Sequence, residues 1–291
     1  MNGEEKISNI VFCGFGKLGK NCLGKLTAHG YRIDYILTHK ELEEDSVDTF
    51  AIINNIPYSY KDARKNLDEI SNIIKKIEPR FLICVNYRYI LPKNVFAVPK
   101  YAINIHGSLL PKYRGRTPHV WSIINGEKMS GITSHIVEES VDTGDIILQK
   151  SIDIDCDDTG FTLLNKYQLE YPSLLCDSLI YLEEAKPLRM QREEDASYYG
   201  KRIPDMGYID FYKNSIDVIN FVRAQAEPYP GAYYYLVDGR KIIINKLTVD
   251  EKIDFNGPVG IIKKIGDSYY GKCKDANLKI ENFRILDLNG G

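Results

Sequence analysis

The sequence predicts an α/β protein, a doubly wound and mostly parallel sheet followed by a small C-terminal β-barrel-like domain. Two observations carry this expectation. Along the first half, short apolar runs alternate with helical stretches, the pattern of parallel strands joined by crossover helices. Past Arg192 the texture changes to an aperiodic connection, and from about Tyr234 short β-rich runs recur, separated by Gly, Asp or Asn, which suits a small antiparallel domain. At 291 residues the chain exceeds the usual size of one compact domain, so a larger unit over residues 1–200 and a smaller α+β, OB-like unit over 201–291 are expected.

Each element has its own signal. Ile7 to Cys13 is an apolar run that opens into Gly14-Phe15-Gly16-Lys17-Leu18-Gly19 and a helical stretch to about His29, and Arg32 to Leu37 reads as the second strand. Leu67 to Ile77 is helix-like and leads through Pro79 to a third run, Phe81 to Val85. The fourth run, Tyr101 to Ile105, delivers an Asn-x-His pair to the carboxyl end of the sheet, where such folds place their ligand crevice. A hairpin follows: Gly131 to Val137 is β-rich, Glu138 to Gly144 is turn-like, and Asp145 to Ile154 alternates. Gly144 allows a positive φ immediately after the turn that carries Asp142. Thr159 to about Glu184 reads as a helix capped by Thr159, with Pro172 as a point where a second helix could start. Tyr198 to Asp210 is an aperiodic connection, Ile216 to Arg223 is helical, and Glu227 to Tyr233 turns into Tyr234 to Val237. Strands are then expected at Lys241–Leu247, Val259–Ile265 and Leu278–Ile285.

Composition narrows the class. The formal charge of −2 argues against a polyanion as main partner. Six cysteines occur as scattered singles without metal-like spacing or a secretory leader, so reduced thiols, no metal and a cytoplasmic location are expected. No apolar run has the length of a transmembrane helix. Aromatic and Lys side chains in the last ninety residues or so could hold single-stranded nucleic acid, but Asp250, Glu251, Asp254, Asp267 and Asp275 offset Lys263, Lys264, Lys272 and Lys274.

The chemistry is concentrated in Asn104-Ile105-His106-Gly107-Ser108-Leu109-Leu110-Pro111-Lys112-Tyr113-Arg114-Gly115 and Val141-Asp142-Thr143-Gly144-Asp145. An amide, an imidazole and a carboxylate can move a proton and stabilise an oxyanion, whereas the elbow pattern Gly-x-Ser-x-Gly is missing around Ser108. Alternate residues of a strand share a face, so Asn104 and His106 point the same way. Acyl transfer straight from donor to acceptor is the reaction class that fits.

These motifs, with the Gly131-Ile132-Thr133 strand, resemble the N10-formyltetrahydrofolate-dependent formyltransferases; the likeness extends more weakly from Ile10 to Pro230-Gly231-Ala232-Tyr233. The resemblance implies a Rossmann-like catalytic domain, catalytic roles for Asn104, His106 and Asp142, and N10-formyltetrahydrofolate as cosubstrate with no metal. Asp142 is expected to accept the amine's proton, directly or through water, and to hold His106, while imidazolium His106 and the Asn104 amide stabilise the oxyanion. It carries the folate contact onto Arg88, Tyr89, Ile90 and Leu91, with Ser108, Leu109, Leu110 and Pro111 as another wall. Lys112, Arg114 and Arg116 are the cations expected at the acceptor.

Two features bear on the acceptor. Initiator-tRNA formyltransferases of the family add a basic loop, but Lys40-Glu41-Leu42-Glu43-Glu44-Asp45-Ser46-Val47-Asp48 would repel phosphates. Arg114 to Ile123 instead resembles the stretch found in sugar N-formyltransferases, which implies an amino sugar carried on a nucleotide, destined for surface polysaccharide, with methionyl-tRNA as the alternative. Two other classes compete. Gly14-x-Gly16-x-x-Gly19 could be a dinucleotide fingerprint of an NAD-type oxidoreductase, although Glu41 lies past the end of the second strand, and a non-catalytic folate-binding protein would not need the whole Asn/His/Asp set. Pairing of two subunits through the C-terminal β domain, a homodimer, is compatible with all of this.

Overall fold

The computed structural model describes residues 9–287. In chain order the elements are β1 (Asn9–Gly14), α1 (Gly16–Ala28), β2 (Arg32–Leu37), α2 (Val47–Ile53), β3 (Tyr58–Ser59), α3 (Leu67–Ile77), β4 (Phe81–Val85), α4 (Lys93–Phe96), β5 (Tyr101–His106), β6 (Arg114–Gly115) and α5 (Pro118–Ile124). Then come β7 (Met129–Ile136), β8 (Ile146–Asp153), α6 (Gly160–Glu183), β9 (Tyr198–Tyr199), α7 (Ser215–Ala224), β10 (Ala232–Tyr235), β11 (Lys241–Val249), β12 (Ile262–Ile265), β13 (Ser268–Lys272) and β14 (Asn277–Leu286). The expected first strand began at Ile7, which lies outside the described residues. Two units result: one takes the chain up to Gly115 with Gly131–Ser151 and Tyr167–Tyr198, the other Arg116–Ser130, Ile152–Lys166 and the chain from Tyr199.

The first unit is built on a sheet of order β3-β2-β1-β4-β5-β7-β8, parallel from β3 to β5 and antiparallel between β5 and β7. Every residue of β4, Phe-Leu-Ile-Cys-Val, is buried, as a strand covered on both faces requires. Val11, Cys13, Leu82, Cys84 and Ala102 share one core with Ile70 and Ile74 of α3 and Val95 of α4. The alternate residues Ile10, Phe12, Phe81, Ile83 and Ile103 are buried too. Helix α3 forms because Ile70 and Ile74 recur at i and i+4, with Asp68 and Glu69 in its first turn and Lys75 and Lys76 in its last. It stops at Glu78, which adopts φ 49° ahead of Pro79. Each buried Ile contributes about 2 kcal/mol.

Strand order reverses direction between β1 and β4, so their following loops diverge and leave a crevice at the carboxyl ends. Helix α6 runs unbroken through Pro172, and no second helix starts there. Its first turn is fixed in the manner expected of Thr159, whose hydroxyl accepts the Thr162 N–H at 3.1 Å while Thr162 Oγ1 accepts the Thr159 N–H at 2.9 Å.

The second unit holds a curled antiparallel sheet of order β10-β11-β14-β13-β12, with β10 and β12 as its edges. Ile242, Ile244, Leu247, Leu278 and Ile280 of its strands close over Val218 and Val222 of α7. Among the described residues no helix is long and apolar enough to cross a membrane.

Candidate active site

Asn104 and His106, two residues apart at the end of β5, both face Asp142. Asn104 Nδ2 lies 3.4 Å from Asp142 Oδ1, and His106 Nδ1 lies 3.4 Å from Oδ2. Oδ2 also accepts the Gly115 N–H at 2.9 Å, so the carboxylate is tied to the loop that leaves β5. The turn reaches this position by placing Asp142 itself at φ 59°, a conformation that Asp tolerates. Gly144 does not use the positive φ that glycine allows. It is glycine because a Cβ there would lie 2.0 Å from the Ile136 carbonyl oxygen.

Electrostatics follow from burial. Desolvation alone would favour a neutral Asp142, but the facing His106 ring and the Gly115 N–H outweigh it and hold the carboxyl well below the usual range. Burial pulls the His106 imidazole down, against the opposing pull of Asp142 and the Tyr113 carbonyl. His106 Nε2 is 2.7 Å from that carbonyl oxygen, so both ring nitrogens face acceptors. A neutral ring satisfies one of them. A proton gained by the ring satisfies both.

The loop after β5 is held from within. Ser108 Oγ donates to the Lys112 carbonyl at 2.6 Å, Thr133 Oγ1 donates to the Ser108 carbonyl at 2.6 Å, and Gln149 Nε2 donates to the Leu110 carbonyl at 2.8 Å. Leu110 is buried, Leu109 and Pro111 are half-buried, and Lys112 is exposed. Arg114, expected as an unmatched cation for the acceptor, is 1% exposed. Its guanidinium is committed to Gln191 Oε1 at 2.9 and 3.1 Å, to Glu193 at 2.8 Å and to the Tyr198 hydroxyl, so it braces the loop from inside. Arg116 is exposed, and its backbone N–H donates to the Tyr199 carbonyl at 2.9 Å.

The loop after β4 is where the folate contact was expected. Arg88 and Ile90 are exposed, Tyr89 is half-buried and Leu91 is buried. The backbone N–H and C=O groups of Tyr89, Ile90 and Leu91 have no hydrogen-bond partner among the described residues. Open main-chain donors and acceptors beside the exposed Ile90 side chain fit a flat heteroaromatic ring with a polar edge.

The glycine loop tells against a dinucleotide. Gly16 has φ 65°, as a tight strand-to-helix turn needs, but its N–H donates to Glu41 Oε2 at 3.0 Å. A carboxylate thus occupies the helix-end position that a pyrophosphate would need. Glu41 is positioned by buried Asp48, whose Oδ2 accepts the Glu41 and Leu42 N–H groups at 3.0 and 3.1 Å.

Sequence reasoning missed His135 and Gln191. His135 stands directly opposite Asn104 in the β5–β7 register, a pairing that only the folded sheet makes. Gln191 has no local signal either: it lies 49 residues from Asp142, yet its Nε2 donates to the Asp142 and Gly144 carbonyls at 2.9 and 2.7 Å.

Residues 34–179 match the family described as formyl transferase, and residues 202–287 match formyl transferase, C-terminal domain. A methionyl-tRNA formyltransferase of Caldanaerobacter subterraneus subsp. tengcongensis is 32% identical over 281 residues, 93% of this chain and 90% of that protein. The bifunctional polymyxin resistance protein ArnA of Wigglesworthia glossinidia brevipalpis is 34% identical over 294 residues, which are 98% of this chain and 43% of that one. In fold, the chain is similar to an N-formyltransferase from Helicobacter canadensis solved in complex with folinic acid and dTDP-3-aminofucose, with a TM-score of 0.73 at 20% identity over 94% of this chain and 99% of that one.

Proposed function

Because the chain belongs to the formyl transferase family, an N-formyltransferase that uses N10-formyltetrahydrofolate, we propose that its acceptor is the primary amine of a nucleotide-linked amino sugar. The observation that carries this choice is the segment after β2. Glu43 and Glu44 are exposed there and would repel a phosphate backbone, while Lys17 and Lys20 of α1 are already paired with Asp45. A methionylated tRNA is the second reading, supported by the 32% identical relative of that name.

When bound, N10-formyltetrahydrofolate supplies an activated formyl carbon. Tyr89, Ile90 and Leu91 would hold its ring edge through their backbones, and the 108–111 loop would wall the other side. An alkyl amine with a pKa of about 10.4 arrives protonated and must lose a proton to attack. His106, kept neutral by burial, takes that proton rather than Asp142; its two acceptors then hold the imidazolium, which would return the proton to the leaving folate nitrogen as the formyl C–N10 bond breaks. Asp142, held ionised, stabilises the charged ring and does not itself keep the proton. Asn104 completes the polar wall beside the reacting groups. Arg116, which directly follows Gly115, is proposed to contact the acceptor's phosphates, whereas Arg114 acts from inside the loop.

The test is a folate-release assay over a panel of nucleotide-linked amino sugars and methionylated initiator tRNA. Turnover with an amino sugar is expected. Turnover with the tRNA alone would overturn the acceptor.

A further inference from the structure

His135 is 2% exposed on β7, opposite Asn104, and takes no part in the chemistry proposed above. Its Nδ1 lies 2.8 Å from the Ile136 carbonyl oxygen, which can only accept, so Nδ1 carries the ring hydrogen. Nε2 of the neutral ring is then a lone pair. It lies 3.0 Å from Asn104 Nδ2, so it takes one amide hydrogen. The other is directed at Asp142 Oδ1, 3.4 Å from Nδ2, so the amide NH2 stands between that oxygen and Nε2, two acceptors 3.5 Å apart. Both N–H bonds of the Asn104 amide are therefore turned into the wall made by His135 and Asp142, and its carbonyl oxygen has no hydrogen-bond partner among the described residues.

We propose that His135 is a positioning residue that fixes the flip of the Asn104 amide, so that the Asn104 oxygen faces the acceptor and receives a hydrogen bond from its amine. An amine N–H is a donor before and after deprotonation, so this contact would orient the nitrogen lone pair toward the formyl carbon throughout. Asn104 would then grip the incoming nucleophile, in place of the oxyanion-donor role expected from the sequence. The inference rests on the formyl-transfer reading for its consequence, but its geometric core is independent of any acceptor.

Two measurements separate these parts. Nitrogen-15 NMR of the wild-type protein without substrates reads the tautomer directly: His135 should carry hydrogen on Nδ1 only, with the Asn104 side-chain NH2 protected from exchange. A hydrogen on Nε2, in either the other tautomer or a doubly protonated ring, would reverse the amide and overturn the proposal. Kinetics then test the consequence with whichever acceptor the panel identifies. His135→Leu removes the lone pair at similar volume and should lower kcat/KM for the acceptor about tenfold, the loss of one oriented hydrogen bond, while leaving the Kd for the folate unchanged. His135→Gln, which restores an acceptor oxygen, should recover most of the loss. Unchanged acceptor kinetics in His135→Leu, or an equal loss in both variants, would also overturn it. Absence of turnover with every amino sugar, alongside the expected NMR result, would count against the acceptor reading alone.

Discussion

Gln191 clasps the turn that presents Asp142, donating to the Asp142 carbonyl at 2.9 Å while its own oxygen accepts from Arg114 Nη2 at 2.9 Å. One uncharged side chain thus joins the buried cation of one loop to the backbone of the other. Replacing it leaves two carbonyls and part of a buried guanidinium unpaired. Gln191→Ala should cost about 2 kcal/mol of stability, read from denaturant unfolding, and lower kcat by about tenfold because Asp142 loses its support. A variant with wild-type kcat would show that the clasp is dispensable for placement.

His106→Ala and Asp142→Asn should each lose about 3 kcal/mol of transition-state stabilisation, roughly a hundredfold in kcat, with the fold and folate affinity retained. Both side chains sit at a strand end and a turn, where truncation removes little core. Steady-state kinetics with circular dichroism on the same samples decide it. Near-normal turnover in either folded variant would remove that residue from the reaction.

Stability should rise with pH on the acid side. The folded state binds protons at Asp142 and His106 less tightly than the unfolded chain does, because both are held below their ordinary values. Asp142's contribution is full above about pH 4 and is lost as pH falls through its folded value; His106's begins to be lost below about pH 6.5. His106→Gln should flatten the slope just below pH 6.5 and leave a loss at lower pH. Unfolding free energies measured from pH 4 to 8 that show identical slopes in both proteins would contradict this assignment.

Gly144→Ala should destabilise the hairpin turn by about 2 kcal/mol, since a backbone oxygen, which cannot rotate away, stands where the methyl must go. The drop in melting temperature reads it. A neutral outcome would mean that the turn shifts freely.

Arg116→Ala should raise the acceptor KM with kcat nearly intact, because a phosphate contact is made equally in the ground and transition states. The KM for N10-formyltetrahydrofolate should not change. A folate defect would mean that the cation serves the other half of the pocket.

Much of this protein was legible before any coordinates. The second strand, the Leu67–Ile77 helix and the Phe81–Val85 strand fall where the apolar periodicity puts them, because spacing and burial are local signals. Helix α2 was not: its apolar face is short and hidden behind an acidic run, and what starts it is the Ser46 cap, whose Oγ accepts the Thr49 N–H at 3.3 Å. Strand β13 was passed over because Ser-Tyr-Tyr-Gly-Lys has no alternation of its own and becomes a strand only between β12 and β14.

By itself the sequence determined the order of the elements, the Asn-x-His pair on one strand face and the identity of the carboxylate that meets it, since each follows from short-range pattern. Tertiary structure alone decided which groups those side chains face. Arg114 looks like a free cation in sequence and is buried against partners 77 to 84 residues away. The Asn104 amide meets His135 Nε2, 31 residues on, at 3.0 Å. Hydrogen-bond direction and desolvation depend on atoms brought together by folding, and no local pattern in the chain encodes them.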